Sequence, residues 1–189
     1  MRVPSGSMEP TIEVGDQIWV TNAAYDLRVP FMQKVLAKIS DPERGDVVVF
    51  NDPQTEGRLL IKRLIGLPGD TVVIQDGWVT INGAKVAIRP EKEPFLFQEV
   101  LPNGIKHWIK RNPDLASYSS QRAQSFNIPV DQYLFLGDAR DNSADGRYFG
   151  LISRKELVGR AERILANATW NKGEWPVLRP ERIGERLQL

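Results

Sequence analysis

The sequence predicts a mainly β protein with long connections between strands, and three observations support this fold class. Short segments rich in β-branched and aromatic residues are bounded by Gly, Pro and Asp. The tight-turn pairs Asp76-Gly77 and Asn82-Gly83 lie between such segments, and helical periodicity is scarce. The predicted strands are 17–21, 46–50, 59–67 and 133–136, with one or two more within 157–170.

Three smaller elements follow from local patterns. Residues 70–86 contain both tight-turn pairs and are predicted to form a hairpin ribbon. Residues 31–39 are predicted to form one short helix. Ser153 and Glu156 have the spacing of a capping box, which predicts the start of a second helix.

One stretch differs in composition from the rest of the chain. Residues 88–129 are richer in Pro, Asn, Ser and charged residues. A chain of 189 residues is long enough for one core with a sizeable insertion. We therefore predict a β core made of 1–87 and 130–189, with 88–129 as an inserted satellite subdomain.

Composition excludes several classes of function. The chain has 25 basic and 24 acidic residues, and a formal charge of +1 provides no field that would attract nucleic acid. The absence of cysteine excludes thiol catalysis, disulfides and thiolate zinc sites. A Ser-His-Asp triad could form only through the single histidine, His107, and a multi-histidine metal site is excluded. No stretch approaches the roughly 18–20 apolar residues that span a bilayer, so we expect a soluble polypeptide.

One serine and one lysine form a candidate catalytic pair. Ser7 lies in the segment 4–11, and Lys62 interrupts an apolar run in the predicted strand 59–67. A serine hydroxyl attacks a carbonyl only when a nearby base takes its proton. A lysine titrates near about 10.4 in water, and burial can lower that pKa by roughly 3–5 units. Lys62 can therefore act as the base if the apolar run buries it.

Two further segments have the composition of functional loops. Residues 66–70 contain two glycines and a proline directly after the lysine strand, which predicts an enforced turn. Residues 137–147 form a dense polar stretch after a predicted buried strand, where chemistry is often placed. Part of this stretch imitates a calcium loop beginning at Asp141. Ile152 occupies the twelfth position, where a bidentate glutamate is required, so a calcium loop is excluded.

Four segments together resemble the type I signal peptidases (leader peptidases), the membrane-bound serine proteases that remove signal peptides from exported proteins. Residues 4–11 resemble the nucleophile box of that family, and residues 44–50 resemble the strand box that follows it. Residues 61–70 resemble the general-base box, and residues 137–147 resemble the downstream loop. The four occur in the family's order over nearly the whole chain. The resemblance implies the signal-peptidase-type, repressor-protease-like β fold.

The resemblance implies a role for each matching residue. Ser7 would be the nucleophile, Lys62 the general base, and Ser143 the residue that orients the lysine amine. The Ser5 hydroxyl would bind the oxyanion beside the backbone N–H of Ser7. The supporting polar residues would be Arg63, Gly137, Asp138, Asp145 and Arg147. The lining of the apolar substrate pocket would be Val3, Met8, Ile12 and Ile61.

Two positions depart from the commonest form of the downstream loop. Ala139 stands where asparagine is usual, and Gly146 stands where serine is usual. Neither position has an assigned chemical role, so we expect these changes to affect packing around the site.

The resemblance also implies a substrate and a location. The family cleaves after small residues, typically Ala at the first and third positions before the scissile bond, and binds the substrate as an added strand. The implied partners are the signal peptides of preproteins and the membrane surface, with no nucleic acid. No metal or other cofactor is implied. The implied location is the bacterial inner (plasma) membrane, with the catalytic domain on the periplasmic side.

The start of the chain differs from the usual family pattern. Family members normally carry one or more transmembrane helices ahead of the nucleophile box, whereas here Met1 lies just before it. We therefore expect a soluble catalytic domain that lacks its transmembrane anchor, with Met1 as an added start. We also expect Val3 to lie at a frayed end, which would reduce substrate affinity.

Alternative interpretations remain for the same residues. Taken singly, Ser7 suits a turn or a helix cap, Lys62 suits an edge-strand or snorkelling lysine, and His107 suits the surface. The nearest rival function is a self-cleaving repressor-type Ser/Lys protease, but no DNA-binding domain or cleavage-site arm precedes Ser7 in this sequence. The rival from another class is a non-catalytic β domain that binds peptides or membrane.

Overall fold

A computed structural model describes residues 1–28, 35–91, 93–112, 114, 123–169 and 177–187. The predicted mainly β fold class is confirmed. The strands are β1 Asp16–Thr21, β2 Asp26–Arg28, β3 Val35–Lys38, β4 Val47–Asn51, β5 Leu59–Gly66, β6 Thr71–Gln75, β7 Trp78–Ile81, β8 Ala84–Lys85, β9 Ala87–Pro90, β10 Leu96–Val100, β11 Lys106–Lys110, β12 Gln124–Asn127, β13 Gln132–Leu136, β14 Ile152–Ser153, β15 Leu157–Thr169 and β16 Val177–Leu178. A one-turn helix spans Gly146–Phe149, and 3₁₀ turns span Arg154–Glu156 and Pro180–Arg182.

The largest sheet has seven antiparallel strands in the order β1-β15-β4-β5-β13-β14, and β16 pairs with β15. Strand β5 lies between β4 and β13; β4 pairs with residues 59–63 of β5, and β13 pairs with residues 63–66. Within β5, Lys62 lies opposite Val48 of β4, and Arg63 lies opposite Leu136 of β13. The sheet therefore holds both residues at the centre of the fold.

The described residues also form three smaller sheets. The predicted hairpin ribbon is confirmed, because β6, β7 and β8 pair in sequence through the two predicted tight turns. Asp76 and Gly77 have φ values of 49° and 73°, and Asn82 and Gly83 have 51° and 79°. Consecutive positive φ values are typical of a two-residue turn that matches the twist of its strands. Strands β2 and β3 form a separate two-stranded ribbon.

The segment 88–129 contains two different kinds of strand. Strands β9, β10 and β11 form their own three-stranded sheet, and β12 pairs with β6 of the hairpin ribbon. The boundaries predicted for a satellite subdomain stay a prediction. Among the helices of the described residues, none is long and apolar enough to cross a membrane.

The apolar core consists of three clusters, and β5 contributes to each of them. Ile61 belongs to the cluster between β1, β4 and β15, Ile65 to the cluster with β6 and β7, and Leu64 to the cluster with β4 and β13. In the last cluster, Phe50 and Phe135 stack with ring centroids 4.7 Å apart. These apolar side chains point to both faces of the sheet. Because they are buried, the polar residues between them, Lys62 and Arg63, also lie in the interior.

Two helix predictions are wrong for the residues that the structure describes. Residues 35–38 of the segment 31–39 form strand β3, which pairs with β2, and residues 31–34 lie outside the described part of the chain. Ser153 lies at the N-cap position with the extended backbone usual there, but its side chain makes no capping hydrogen bond and only a three-residue 3₁₀ turn, Arg154–Glu156, follows. Pairing of β15 with β4 begins at Leu157 and ends that turn. Strand pairing thus outweighs the local helical pattern at both places.

Candidate active site

Lys62 and Ser7 meet in the interior of the fold. The Lys62 Nζ atom lies 2.6 Å from Ser7 Oγ and donates a hydrogen bond to the Ile61 carbonyl oxygen at 2.9 Å. Lys62 is only 3% exposed, whereas Ser7 is partly exposed. The arrangement joins a buried amine to a hydroxyl that a substrate can reach.

Burial makes Lys62 easier to deprotonate than a lysine in water. Burial lowers the pKa of Lys62 from 10.5 to about 8, because the interior solvates the ammonium poorly. The carboxylates of Asp145 and Asp138 act in the opposite direction and keep the pKa from falling further. An amine with this pKa is present as the free base in a useful fraction at neutral pH.

A short turn holds Ser7 in place. The Glu9 N–H donates to the Gly6 carbonyl oxygen at 3.1 Å, and the Ile12 N–H donates to the Met8 carbonyl oxygen at 2.9 Å. Met8 and Ile12 are fully buried in the apolar cluster below this turn. Burial of Met8, the residue directly after Ser7, therefore fixes the turn to the core.

The expectation that Val3 lies at a frayed end is wrong. The Val3 N–H donates to the Asp16 carbonyl oxygen at 2.8 Å, and the Gly15 N–H donates to the Val3 carbonyl oxygen at 2.9 Å. Met1 exchanges two hydrogen bonds with Ile18, each of 2.8 Å. Val3 is 1% exposed, so apolar burial together with these backbone bonds fixes the segment before Ser7.

The loop 137–147 packs directly against the nucleophile turn. The Ala139 N–H donates to the Ser7 carbonyl oxygen at 3.2 Å. A β-carbon at Gly137 would collide with Ser143 Oγ and would stand 2.5 Å from the Ser7 carbonyl oxygen. Only a glycine fits this close approach. Ser143 Oγ is buried and has no hydrogen-bond partner in the part of the chain that the structure describes, so its role in orienting Lys62 stays a prediction.

Asp145 and Arg147 stabilise the same loop from within. Asp145 Oδ2 accepts from the Gly137 N–H at 2.9 Å and from Arg147 Nη2 at 2.8 Å, and Oδ1 accepts from Arg147 Nε at 2.8 Å. Arg147 Nη2 also donates to the Arg140 carbonyl oxygen at 2.5 Å. Both side chains are buried, so this fork-to-carboxylate pair fixes the loop conformation next to Ser143.

Arg63 and Asp138 form a second buried pair behind the catalytic candidates. Arg63 Nε and Nη2 donate to the two carboxylate oxygens of Asp138 at 2.9 and 2.7 Å, and Nη1 donates to the Gly45 carbonyl oxygen at 2.9 Å. Burial alone would raise the pKa of Asp138, but the Arg63 guanidinium brings that pKa below its usual value. Thr11 Oγ1 donates to Asp138 Oδ2 at 2.5 Å, a link that sequence reasoning missed although Thr11 ends the nucleophile segment.

A cleft of about 390 Å³ opens beside Ser7 and Lys62. One wall is the stretch 4–7, which includes the exposed Ser5, and the other is the stretch 58–62 of β5 and the preceding loop. Asn142 and Ala144, which flank Ser143, also line it and were not predicted.

The four residues predicted for the substrate pocket have two different placements. Ile61 lines the cleft, whereas Val3, Met8 and Ile12 are fully buried in the apolar cluster that also contains Ile61.

His107 is buried, and its expected surface position is wrong. It lies opposite Glu99 in the pairing of β10 with β11, and its Nε2 atom is 3.0 Å from Glu99 Oε2. Arg140 Nη2 donates to the same carboxylate oxygen. Burial would raise the pKa of Glu99, but the Arg140 charge and the contact with His107 together lower it to about 2. The alternation of buried and exposed residues along 106–110 is the pattern that could have predicted this position.

Comparison with known proteins gives consistent matches. The model of the family described as "Signal peptidase, peptidase S26" matches residues 1–166. The signal peptidase I of Pseudomonas aeruginosa is 37% identical over 178 residues, which cover 85% of this chain and 62% of that relative. The signal peptidase I of Buchnera aphidicola subsp. Acyrthosiphon pisum is 30% identical over 230 residues, which cover 97% of this chain and 73% of that relative.

A solved signal peptidase I structure from Enterococcus faecalis is 28% identical, with a TM-score of 0.42, and the match covers 65% of this chain and 98% of that chain. The chain spans less than two thirds of the length of the Pseudomonas relative. The match of the family model over residues 1–166, together with these relatives, shows that the chain belongs to the signal peptidase family, peptidase S26.

Proposed function

We propose that this chain is a serine endopeptidase that removes N-terminal signal peptides from exported preproteins with a Ser7/Lys62 dyad. The observation that carries the proposal is the 2.6 Å separation between Ser7 Oγ and the buried Lys62 Nζ. Membership of the signal peptidase family supports the same activity. A histidine base is disfavoured, because His107 lies buried beside Glu99.

In the acylation step, neutral Lys62 accepts the Ser7 hydroxyl proton while Ser7 Oγ attacks the scissile carbonyl carbon. The tetrahedral intermediate then expels the amine of the mature protein, and the Lys62 ammonium returns the proton to that nitrogen. The signal peptide stays attached to Ser7 as an ester. Charge is balanced in the tetrahedral intermediate because the Lys62 ammonium offsets the negative oxygen, and both charges disappear when the proton passes to the leaving nitrogen.

The negative oxygen of the tetrahedral intermediate needs hydrogen-bond donors. The Ser5 hydroxyl and the backbone N–H of Ser7 are our candidates, since Ser5 is exposed in the cleft two residues before the nucleophile. A well-placed donor is worth roughly 3–4 kcal/mol of activation free energy. In the deacylation step, Lys62 takes a proton from water as the water oxygen attacks the ester carbonyl carbon, and it returns that proton to Ser7 Oγ as the Oγ–C bond breaks and the signal peptide leaves as a carboxylic acid.

The remaining polar residues hold the reacting groups in position. Ser143 is proposed to orient the Lys62 amine during turnover without adding charge to its surroundings. The Arg63–Asp138 and Asp145–Arg147 pairs hold the loop 137–147 and the nucleophile turn in fixed positions relative to each other. These supporting pairs act through Ser143 and Gly137 rather than on the substrate.

The proposed substrate is an extended signal peptide with small residues, of the Ala-x-Ala type, before the scissile bond. Ile61 and the apolar stretch before it give the cleft a largely hydrophobic wall, and a small apolar site selects by excluding bulk. The enzyme would act at the membrane surface, on the periplasmic side of the bacterial inner membrane. Nucleic acid and metal have no part in this proposal.

The test is cleavage of a purified preprotein in detergent, with mass spectrometry of both products. We expect a single cut after the Ala-x-Ala sequence and at least a tenfold lower rate when the last Ala is replaced by Leu. Ser7→Ala serves as the inactive control for contaminating proteases. Cleavage at other positions, or equal cleavage of the Leu substrate, would contradict the proposed substrate class.

A further inference from the structure

A second, smaller cavity lies beside the nucleophile turn. It has a volume of about 130 Å³, and its lining is Glu9, Lys110, Asn112, Ala139, Asp141 and Asn142. Asn142 also lines the cleft that contains Ser7 and Lys62, so the two cavities meet at this residue. The volume is below the range of about 300–1,000 Å³ for drug-sized ligands, and it suits one side chain or a chain terminus.

The two cavities differ in chemical character. The charged residues of the cleft beside Ser7 are the cations Arg58 and Lys62, whereas the small cavity also has the carboxylates of Glu9 and Asp141. If the acyl half of the substrate occupies the apolar cleft, the departing amine half needs a separate exit. The small cavity lies beside the nucleophile turn, since its lining residue Ala139 is hydrogen-bonded to the Ser7 carbonyl oxygen, and its carboxylates suit the positive charge of a newly formed chain end.

Glu9 is the charged group of this cavity nearest to the nucleophile turn. A β-carbon placed on Gly6 would stand 2.5 Å from Glu9 Oε1, so the carboxylate lies directly over the residue before Ser7. Its only ion pair among the described residues is with Lys110, at 3.4 Å. Lys110 is 52% exposed and can turn toward solvent, which leaves Glu9 available to a substrate cation.

The other carboxylate in the cavity is already occupied. Asp141 Oδ2 accepts from Arg111 Nε at 2.9 Å and from the Asn112 N–H at 2.8 Å, and the Asp141 side chain is almost fully buried. The Arg111 charge balances that of Asp141. Glu9 therefore decides the charge preference of the cavity, and Lys110 opposes it.

We propose that this cavity is the subsite for one of the first two residues after the scissile bond, and that Glu9 makes it favour a cationic over an anionic residue there. This inference rests on the proposed signal peptidase function. The new α-amine has a pKa near about 7.7–8.0 and is largely protonated at neutral pH, so the same carboxylate also suits the departing chain end. Glu9 acts here on specificity, and not on the transfer of protons.

The test uses peptide substrates with one Ala-x-Ala sequence and Lys, Gln or Glu at the first or second position after the scissile bond. We measure kcat/KM at low ionic strength, where exposed charges are least screened. Wild type should cleave the Lys substrates faster than the Glu substrates at one of these positions at least. Glu9→Gln should reduce the Lys-to-Glu ratio by about two- to fivefold, as expected for one exposed ion pair.

Two further variants make the test specific. Lys110→Gln should raise the Lys-to-Glu ratio, because it removes the cation that opposes Glu9. Glu91→Gln has the same charge change as Glu9→Gln at an exposed residue that lines neither cavity, and it should leave the ratio unchanged. An unchanged ratio in Glu9→Gln, or an equal shift in Glu91→Gln, would overturn the proposed subsite. Wild type that cleaves none of the substrates would instead overturn the proposed function itself.

Discussion

The activity of this protein should depend on pH through Lys62. Burial lowers the pKa of this amine to about 8, and only the neutral form can accept the Ser7 proton. A base of that pKa is about one-tenth deprotonated at pH 7 and about one-hundredth at pH 6. With its ordinary pKa of 10.5, roughly three molecules in ten thousand would be deprotonated at pH 7. Burial of Lys62 thus raises the reactive fraction at neutral pH by roughly 300-fold.

The direction of the pH dependence follows from the lowered pKa. Activity is present above about pH 8 and is lost as the pH falls through the pKa of Lys62. We expect kcat/KM to fall about tenfold per pH unit below that value and to reach a plateau above it. The assay is cleavage of a peptide without ionisable side chains near the scissile bond, from pH 5 to pH 10. Circular dichroism at each pH checks that the protein stays folded. An activity that is flat down to pH 5, or a midpoint near pH 10.5, would refute the reasoning.

Three other substitutions test the surroundings of the dyad. Asp138→Asn removes one partner of a buried ion pair and should lower the free energy of unfolding by about 3–5 kcal/mol, measured by urea denaturation, because Arg63 keeps an unpaired charge. Gly137→Ala should abolish cleavage, since its β-carbon would collide with Ser143 and press on the Ser7 carbonyl oxygen; full activity would contradict this packing. Ser143→Ala should leave the melting temperature unchanged or slightly higher, because it removes a buried hydroxyl without a hydrogen-bond partner among the described residues. In the same variant kcat should fall, and an unchanged kcat would exclude an orienting role.

Elements defined by local chemistry could be predicted from the sequence. The turns at Asp76-Gly77 and Asn82-Gly83 depend on residues that tolerate positive φ, and their flanking strands are short and β-branched. The strand that carries Lys62 could be predicted from its run of apolar residues. In the structure these residues enter three separate clusters. The helix predicted for residues 31–39 failed over 35–38, where pairing with β2 decides the structure.

The details of the candidate site depend on contacts between distant parts of the chain. Arg63 and Asp138 are 75 positions apart, and only the family resemblance grouped them. Thr11 belongs to the nucleophile segment, but its hydrogen bond to Asp138 cannot be deduced from neighbouring residues. The position of His107 within the predicted insertion favours the surface, whereas the alternation with Ile109 along β11 indicates its burial.

The central claim is that Lys62 is the general base for Ser7, and one comparison tests it most directly. Preprotein cleavage is measured for wild type, Ser7→Ala, Lys62→Met and Lys85→Met, the last being an exposed lysine of β8 as the matched control. The account predicts no detectable cleavage by Ser7→Ala, and a loss of about 10²–10⁴-fold or more for Lys62→Met. Lys85→Met should retain wild-type activity. Cleavage by Lys62→Met at a rate close to that of wild type would contradict the account.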